Sequence, residues 1–284
     1  MDAGSDQSSS EGAAVNLDPA TFNDLGTLDT HTATVNWGDG TATETSSVGE
    51  SPSGPPGSTS GVNGTVDGSH VYADDGSYTV TVCVTDDDTA SACDTLQVTV
   101  NNAAPIVDAG LNQTADEGDT VSLSPVTFND LGTLDTHTAT VNWGDGTATE
   151  PGAVAETPSG PPGSTSGTNG TVSGSHVYAD DGTYTVEVCV TDDASTTCDS
   201  LMVTINNVAP TLDAGSDQTS TEGSVVSLDP TTFNDLGISD THTVAVNWGV
   251  GAGSEPGSVT ESPSGPPGST AGADGTADPF RLCG

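Results

Sequence analysis

The sequence predicts an all-β chain built as tandem two-layer sandwiches, and three observations carry that expectation. The hexapeptide VNWGDG stands at residues 35–40 and 141–146 and returns at 246–251 as VNWGVG, so these copies hold all three tryptophans. Around it, apolar residues alternate with threonine, serine and asparagine, the period of a half-buried strand. No run resembles a long amphipathic helix.

The repeat sets the domain organisation. Trp37 and Trp143 are 106 residues apart, and Trp143 and Trp248 are 105 apart. FNDLG begins at Phe22, Phe128 and Phe233, SGPPGST at Ser53, Ser159 and Ser264, and GSHVYADDG at Gly68 and Gly174. That period is too long for a solenoid and fits one sandwich of about 100 residues. The expected units are 1–104, 105–209 and 210–284. Their junctions, VNNAAPIVDAG and INNVAPTLDAG, are strand ends followed by a proline, so linkers of a few residues should bring neighbours almost into touch. MDAGSDQ at the start matches LDAGSDQ at Leu212, and the third copy turns into an off-pattern tail over 276–284. Both ends therefore read as edges of a fragment, and the third unit is expected to lack its last three strands. With no partner for its apolar face, it should be poorly ordered or pair loosely with a neighbour's edge.

Within a unit, HTATVNWGDG puts His31, Ala33, Val35 and Trp37 on one face and Thr32, Thr34 and Asn36 on the other. Gly38, Asp39 and Gly40 then supply a tight turn, with the aspartate bonding nearby backbone N–H groups. GSYTVTVCVTDDD turns Tyr78, Val80, Val82 and Val84 inward, and CDTLQVTV returns with Leu96, Val98 and Val100 inward. Cys83 and Cys93 then share the outer face of one hairpin, and Cys189 and Cys198 repeat that parity. The favoured reading is two disulfides closing loops of about ten residues, each contributing roughly 2–3 kcal/mol and implying an oxidising compartment. Free thiols and zinc are the alternatives, and Cys283 is incidental.

Trp-Gly-Asp-Gly closing a strand, His-x-Tyr, Asp-Gly-x-Tyr-Thr-Val-x-Val and the closing VNNAAP together resemble the PKD repeat family. The resemblance covers two whole units and the front half of a third, although the family's usual turn has an extra aromatic that is missing here. It implies immunoglobulin-like β-sandwiches from extracellular regions of cell-surface proteins and secreted hydrolases. DDGSY and DDGTY also resemble the tyrosine corner of such sandwiches, in which the hydroxyls of Tyr78 and Tyr184 bond upstream backbone.

Composition narrows the function. The chain has 284 residues, one arginine, no lysine and 41 acids, for a formal charge of −40. It lacks the basic face that a nucleic-acid binder uses to displace counterions, and it is disfavoured on anionic lipid. No stretch approaches the ~20 apolar residues of a membrane span, and DAGSDQ after Met1, with no basic segment and no apolar run, does not read as a signal peptide. Self-repulsion should loosen the compact state at low ionic strength.

Catalysis is not expected. His31, His70, His137, His176 and His242 have no distinguished nucleophile beside them in the sequence, and the acids sit in turns rather than across a cleft. Calcium is the candidate ligand, at the junction of units one and two. There Asp39, Asp74, Asp75, Asn101 and Asn102 would close one unit and Asp130, Asp135, Asp192 and Asp193 would open the next. A hard cation with six to eight oxygen ligands would bridge these acidic ends; the alternative is a solvated, salt-screened surface. The GPPG loops read as mobile, and Asn63, Asn112 and Asn169 head N-x-T acceptor sequons of the kind a threonine-rich chain produces by chance. The expected function is a non-catalytic, extracellular spacer and adhesion-type array. Its partners would be neighbouring repeats of a larger protein and cell-surface protein or polysaccharide. The rival is a carbohydrate- or protein-binding accessory region of a secreted hydrolase.

Overall fold

The computed structural model describes residues 1–52, 55–158, 164–193, 195–229, 231–249, 251, 253–263, 272–278 and 280–282. Val250, Cys283, all of the second and third GPPG loops and Gly54 of the first lie outside the described residues. The chain is all-β, as tandem immunoglobulin-like sandwiches.

The first repeat contains β1 (Gln7–Ser10), β2 (Ala14–Asn16), β3 (Ala20–Asp24), β4 (His31–Asn36), β5 (Glu44–Pro52), β6 (Val62–Asp67), β7 (Ser69–Val71), β8 (Gly76–Asp86) and β9 (Ser91–Asn101). One layer runs β1-β9-β8-β4, and the other holds β6 and β3. The long β5 belongs to both, pairing β4 through Glu44–Ser46 and β6 through Ser47–Pro52. β1 lies parallel to β9, while β2 pairs with β7.

Alternation produces the core. Val35, Val80, Val82 and Val98 are fully buried and Trp37 is 1% exposed. Each buried side chain of that size contributes about 1.5–3 kcal/mol. The indole Nε1–H donates to Glu44 Oε2 at 3.3 Å, and the Tyr72 hydroxyl donates to the Trp37 carbonyl at 2.9 Å. A buried indole thus has both area and a satisfied polar atom. Gly38, at φ +82°, turns the chain where a Cβ would meet the Thr79 carbonyl oxygen at 2.5 Å. Phe22 lies against Gly64, where a Cβ would come within 2.1 Å of the ring, so glycine is required opposite that phenylalanine. The expected corners are present: the Tyr78 hydroxyl donates to the Asp74 carbonyl and that of Tyr184 to the Asp180 carbonyl, both at 2.9 Å. Cys83 faces Cys93 across β8 and β9 and is bonded to it, as Cys189 is to Cys198.

The second repeat repeats this plan with β10 (Ile106–Asp108), β11 (Gln113–Asp116), β12 (Thr120–Ser122), β13 (Val126–Asp130), β14 (Thr138–Asn142), β15 (Glu150–Pro158), β16 (Thr168–Ser173), β17 (Ser175–Val177), β18 (Gly182–Thr191) and β19 (Thr196–Asn206). Its core is the equivalent set around Trp143, with Val186, Val188 and Val203 fully buried.

The third repeat differs. It contains β20 (Thr211–Asp213), β21 (Val225–Ser227), β22 (Thr231–Asp235), β23 (Ala245–Val246), β24 (Glu255–Pro256), β25 (Ser258–Pro263), β26 (Ala273–Asp278) and β27 (Phe280–Leu282). One layer, β20-β22-β26-β25, is built as in the second repeat, but nothing corresponds to β18 and β19 among the described residues. Two expectations need correction. The repeat forms a paired four-stranded sheet rather than a loose segment, because β20, β22, β25 and the first half of β26 precede the point where the pattern breaks, and the rest of β26 continues the ladder through main-chain pairing. The off-pattern tail also supplies a strand: β27 pairs with β21 as β17 pairs with β12. Main-chain pairing needs no particular side chain, so a changed sequence can still occupy that ladder.

Candidate metal centre

The tight turns between strands place the acids at the ends of the sandwiches, and the short linker after β9 brings two such ends together. The Leu134 N–H donates to the Ala73 carbonyl at 3.2 Å across the junction. Three overlapping groups of carboxylates meet there: Glu11, Asp74 and Asp135; Asp74, Asp75 and Asp193; and Asp130, Asp135 and Asp192. Within each group the ligand oxygens lie within 4.8 Å of one another.

Six of the nine anticipated ligands, Asp74, Asp75, Asp130, Asp135, Asp192 and Asp193, therefore stand together. Asn102 joins them, its amide donating to Asp192 Oδ2 at 3.0 Å and Ser195 Oγ at 3.2 Å, while its own Oδ1 has no hydrogen-bond partner. Asp39 and Asn101 do not belong. Asp39 falls in none of the acidic groups: its Oδ1 accepts from the Thr41 N–H and hydroxyl within its own turn, and its Oδ2 lies 2.7 Å from His70 Nε2 on β7. Asn101 closes β9 and donates to the Ser9 carbonyl at 2.9 Å.

Glu11 is the residue that sequence reasoning missed. It is completely buried; Oε1 accepts the Ala103 N–H at 2.6 Å, and Oε2 is buried with no hydrogen-bond partner. An unpaired buried carboxylate oxygen is costly. Burial pushes its pKa up to about 8, against the Ala103 bond and with the help of Asp135, Asp130 and Asp75. Asp135 is driven up to about 7, first by burial and then by Asp130, Asp193, Asp74 and Asp192. Both Asp135 oxygens are also without hydrogen-bond partners. The available signal was an in-phase Glu-Gly at Glu11, Glu117 and Glu222. Such a dipeptide ahead of a strand reads as an ordinary exposed turn.

The histidines form a second polar set. His70 stacks on Trp37 with ring centroids 5.0 Å apart, and His176 on Trp143 at 5.1 Å. His31 lies between Glu50 at 2.8 Å and Asp24 at 3.4 Å, and His137 between Glu156 at 3.0 Å and Asp130 at 3.3 Å. In the Thr41–Asp39–His70 chain the carboxylate sits in the middle. A hydrolytic triad needs the imidazole there, between hydroxyl and acid.

The PKD domain profile matches residues 102–206. No curated protein matches the chain. Among solved structures, a titin immunoglobulin tandem is similar at 14% identity and TM-score 0.29, covering 71% of this chain and 93% of that one. The extracellular cadherin domains 1–5 of protocadherin gamma B2 are similar at 15% identity and TM-score 0.26, covering 99% and 52%. An endo-fucoidan hydrolase of glycoside hydrolase family 107 is similar at 14% identity and TM-score 0.26, covering 72% and 28%. The chain thus spans about a quarter of the hydrolase and half of the protocadherin segment. The second sandwich, with its Trp-Gly-Asp-Gly turn and its tyrosine corner at Tyr184, is a PKD domain.

Proposed function

We propose that the chain is a non-catalytic, extracellular array of spacer and adhesion-type sandwiches, with its first two repeats held in fixed orientation by calcium at their junction. The ligands would be Glu11, Asp74, Asp75, Asp130, Asp135, Asp192 and Asp193, with Asn102 Oδ1 as a neutral donor. One observation carries this reading. A wholly buried glutamate of the first repeat has an oxygen with no hydrogen-bond partner, and that residue offers a ligand oxygen within 4.8 Å of carboxylates from both sides of the junction. Like charges gathered at that range repel, and a hard cation with six to eight oxygen ligands reverses the sign. The cation would cross-link the repeats and supply the partner that Glu11 Oε2 lacks.

A spacer reading also suits the remaining chemistry. Each histidine is engaged with carboxylates, and the oxidised Cys83–Cys93 and Cys189–Cys198 pairs fit an oxidising compartment outside the cell. Among the described residues, the exposed large apolar side chains, Leu25, Leu28, Ile106, Leu111, Leu134, Met202, Leu212 and Val225, include no aromatic platform of the kind a sugar would stack on. Thermal melting of the chain in calcium, in chelator and in sodium chloride of equal ionic strength tests the proposal. Calcium should raise the melting temperature of the first two repeats well beyond sodium. Equal effects would reduce calcium to ordinary screening and remove the joint.

A further inference from the structure

The second junction repeats the first with a smaller set of acids. The Ser239 N–H donates to the Ala179 carbonyl at 3.1 Å, as Leu134 does to Ala73 one repeat earlier. Glu117, Asp180, Asp181 and Asp240 stand where Glu11, Asp74, Asp75 and Asp135 stand, and oxygens of all four lie within 4.8 Å of one another. Glu117 is completely buried; its Oε1 accepts the Val208 N–H at 2.5 Å, and its Oε2 is buried with no hydrogen-bond partner. That unbonded oxygen points into the acidic group. A Cβ placed on Gly237 would meet Glu117 Oε2 at 2.8 Å and Asp240 Oδ2 at 2.7 Å, so both flank one point that the glycine leaves open. Asn207 reaches the same place, its amide 3.4 Å from Glu117 Oε1 and from Asp240 Oδ2.

We infer that Glu117, Asp180, Asp181 and Asp240 form a separate divalent-cation site joining the second and third repeats, with calcium, a hard oxygen-seeking ion, as its ligand. The inference extends the junction reading above to a place where the downstream sandwich is incomplete. The first junction receives Asp192 and Asp193 from the turn between β18 and β19, and the third repeat has no such turn among its described residues. Fewer carboxylates give weaker binding, so the second site should have a Kd at least ~10-fold above the first. The site also gives the third repeat an anchor that its own packing does not provide.

Calorimetric titration of the full chain with calcium chloride at constant ionic strength tests this on three proteins: the parent, Glu117→Gln/Asp240→Asn, and Glu11→Gln/Asp135→Asn. The first double variant should lose the weaker class of sites, about one equivalent, and leave the tighter class unchanged. Gly237→Ala should weaken that same class while removing no oxygen, and unchanged circular dichroism would show that the fold survives. Parent-like stoichiometry and affinities in both the Glu117/Asp240 pair and Gly237→Ala would overturn the inference. If only the Glu11/Asp135 pair loses sites, the first junction stands and the second falls. If only the Glu117/Asp240 pair does, the second stands alone. A parent chain that takes up no calcium ends both.

Discussion

Trp143 and Trp248 occupy equivalent positions in neighbouring repeats and end up in different surroundings. Trp143 is 1% exposed, donates to Glu150 Oε2 at 3.2 Å and closes β14, the strand that pairs with β18 in the β14-β18-β19 layer. Trp248 is half-buried, and its Nε1 is shielded from water yet has no hydrogen-bond partner. The local sequences differ little up to the tryptophan, so the contrast comes from the strands beside it, β18 and β19, which complete its layer in the second repeat. A strand's alternation selects which face will be apolar; a second layer decides whether that face is buried. Among the described residues the third repeat has one four-stranded layer, two short strand pairs and a few buried residues, Phe233, Ala273 and Ala277 among them, where each closed repeat has a full cluster.

The sharpest way to break this contrast is to remove each indole. Trp37→Ala or Trp143→Ala should cost about 3–5 kcal/mol, as large core truncations do. Trp248→Ala should cost less than about 0.5 kcal/mol, in line with positions away from a packed core. Denaturant titration of the three variants checks this, and equal losses would mean that the third repeat is closed after all. Next in size are the disulfides. Replacing Cys83 and Cys93 together with serine should cost about 2–3 kcal/mol through the freed loop, seen as a lower unfolding midpoint of the first repeat only.

A smaller effect tests the turn. Asp39→Val gives the first repeat the residue that the third has at Val250, and removes the bonds that Asp39 accepts from Thr41 together with its pairing to His70. The expected loss is about 1–2 kcal/mol, read in the same unfolding transition. Restored stability on adding His70→Val would show that the unpaired imidazole, rather than the turn itself, bore the cost.

The smallest effect separates the junction from the cores. Without divalent cation, Glu11 and Asp135 have folded pKa values raised from 4.5 and 3.8 to about 8 and about 7. Between those limits the folded chain holds more protons than the unfolded one, so stability falls as pH rises. Three histidines act in the same direction. For His31 and His137, burial opposes protonation and the neighbouring carboxylates outweigh it; for His242, the Asp235 bond dominates. Their raised values give stability below about pH 6.5 that is lost as pH climbs through the folded pKa. Melting in chelator should therefore rise by a few degrees from pH 8 to pH 5. Saturating calcium should flatten or reverse that slope, because ligation requires the ionised carboxylates.

Much of this was legible in the sequence, for physical reasons that also mark where legibility stopped. Strand alternation and the in-phase repeat identified the sandwiches, the inward Trp37, the paired cysteines on one face and the tyrosine corners. Loop parity placed Asp74, Asp75, Asp130, Asp135, Asp192 and Asp193 at one junction. Asp39 was misassigned because its partner His70 lies 31 residues away and becomes a neighbour only in the folded sheet. Glu11 was invisible because its burial is created by the next repeat, and no pattern within one repeat records that. The strand β27 was missed because backbone pairing can proceed through residues that fit no motif.

The calcium-bridged joint is tested most directly by small-angle X-ray scattering of the whole chain, in chelator and in calcium at matched ionic strength. Bridged junctions should give a narrower distribution of inter-repeat distances in calcium, and Glu11→Gln/Asp135→Asn should abolish most of that change. Superimposable profiles with and without calcium would contradict it, leaving the acidic ends as solvated surface and the repeats as independently tethered sandwiches.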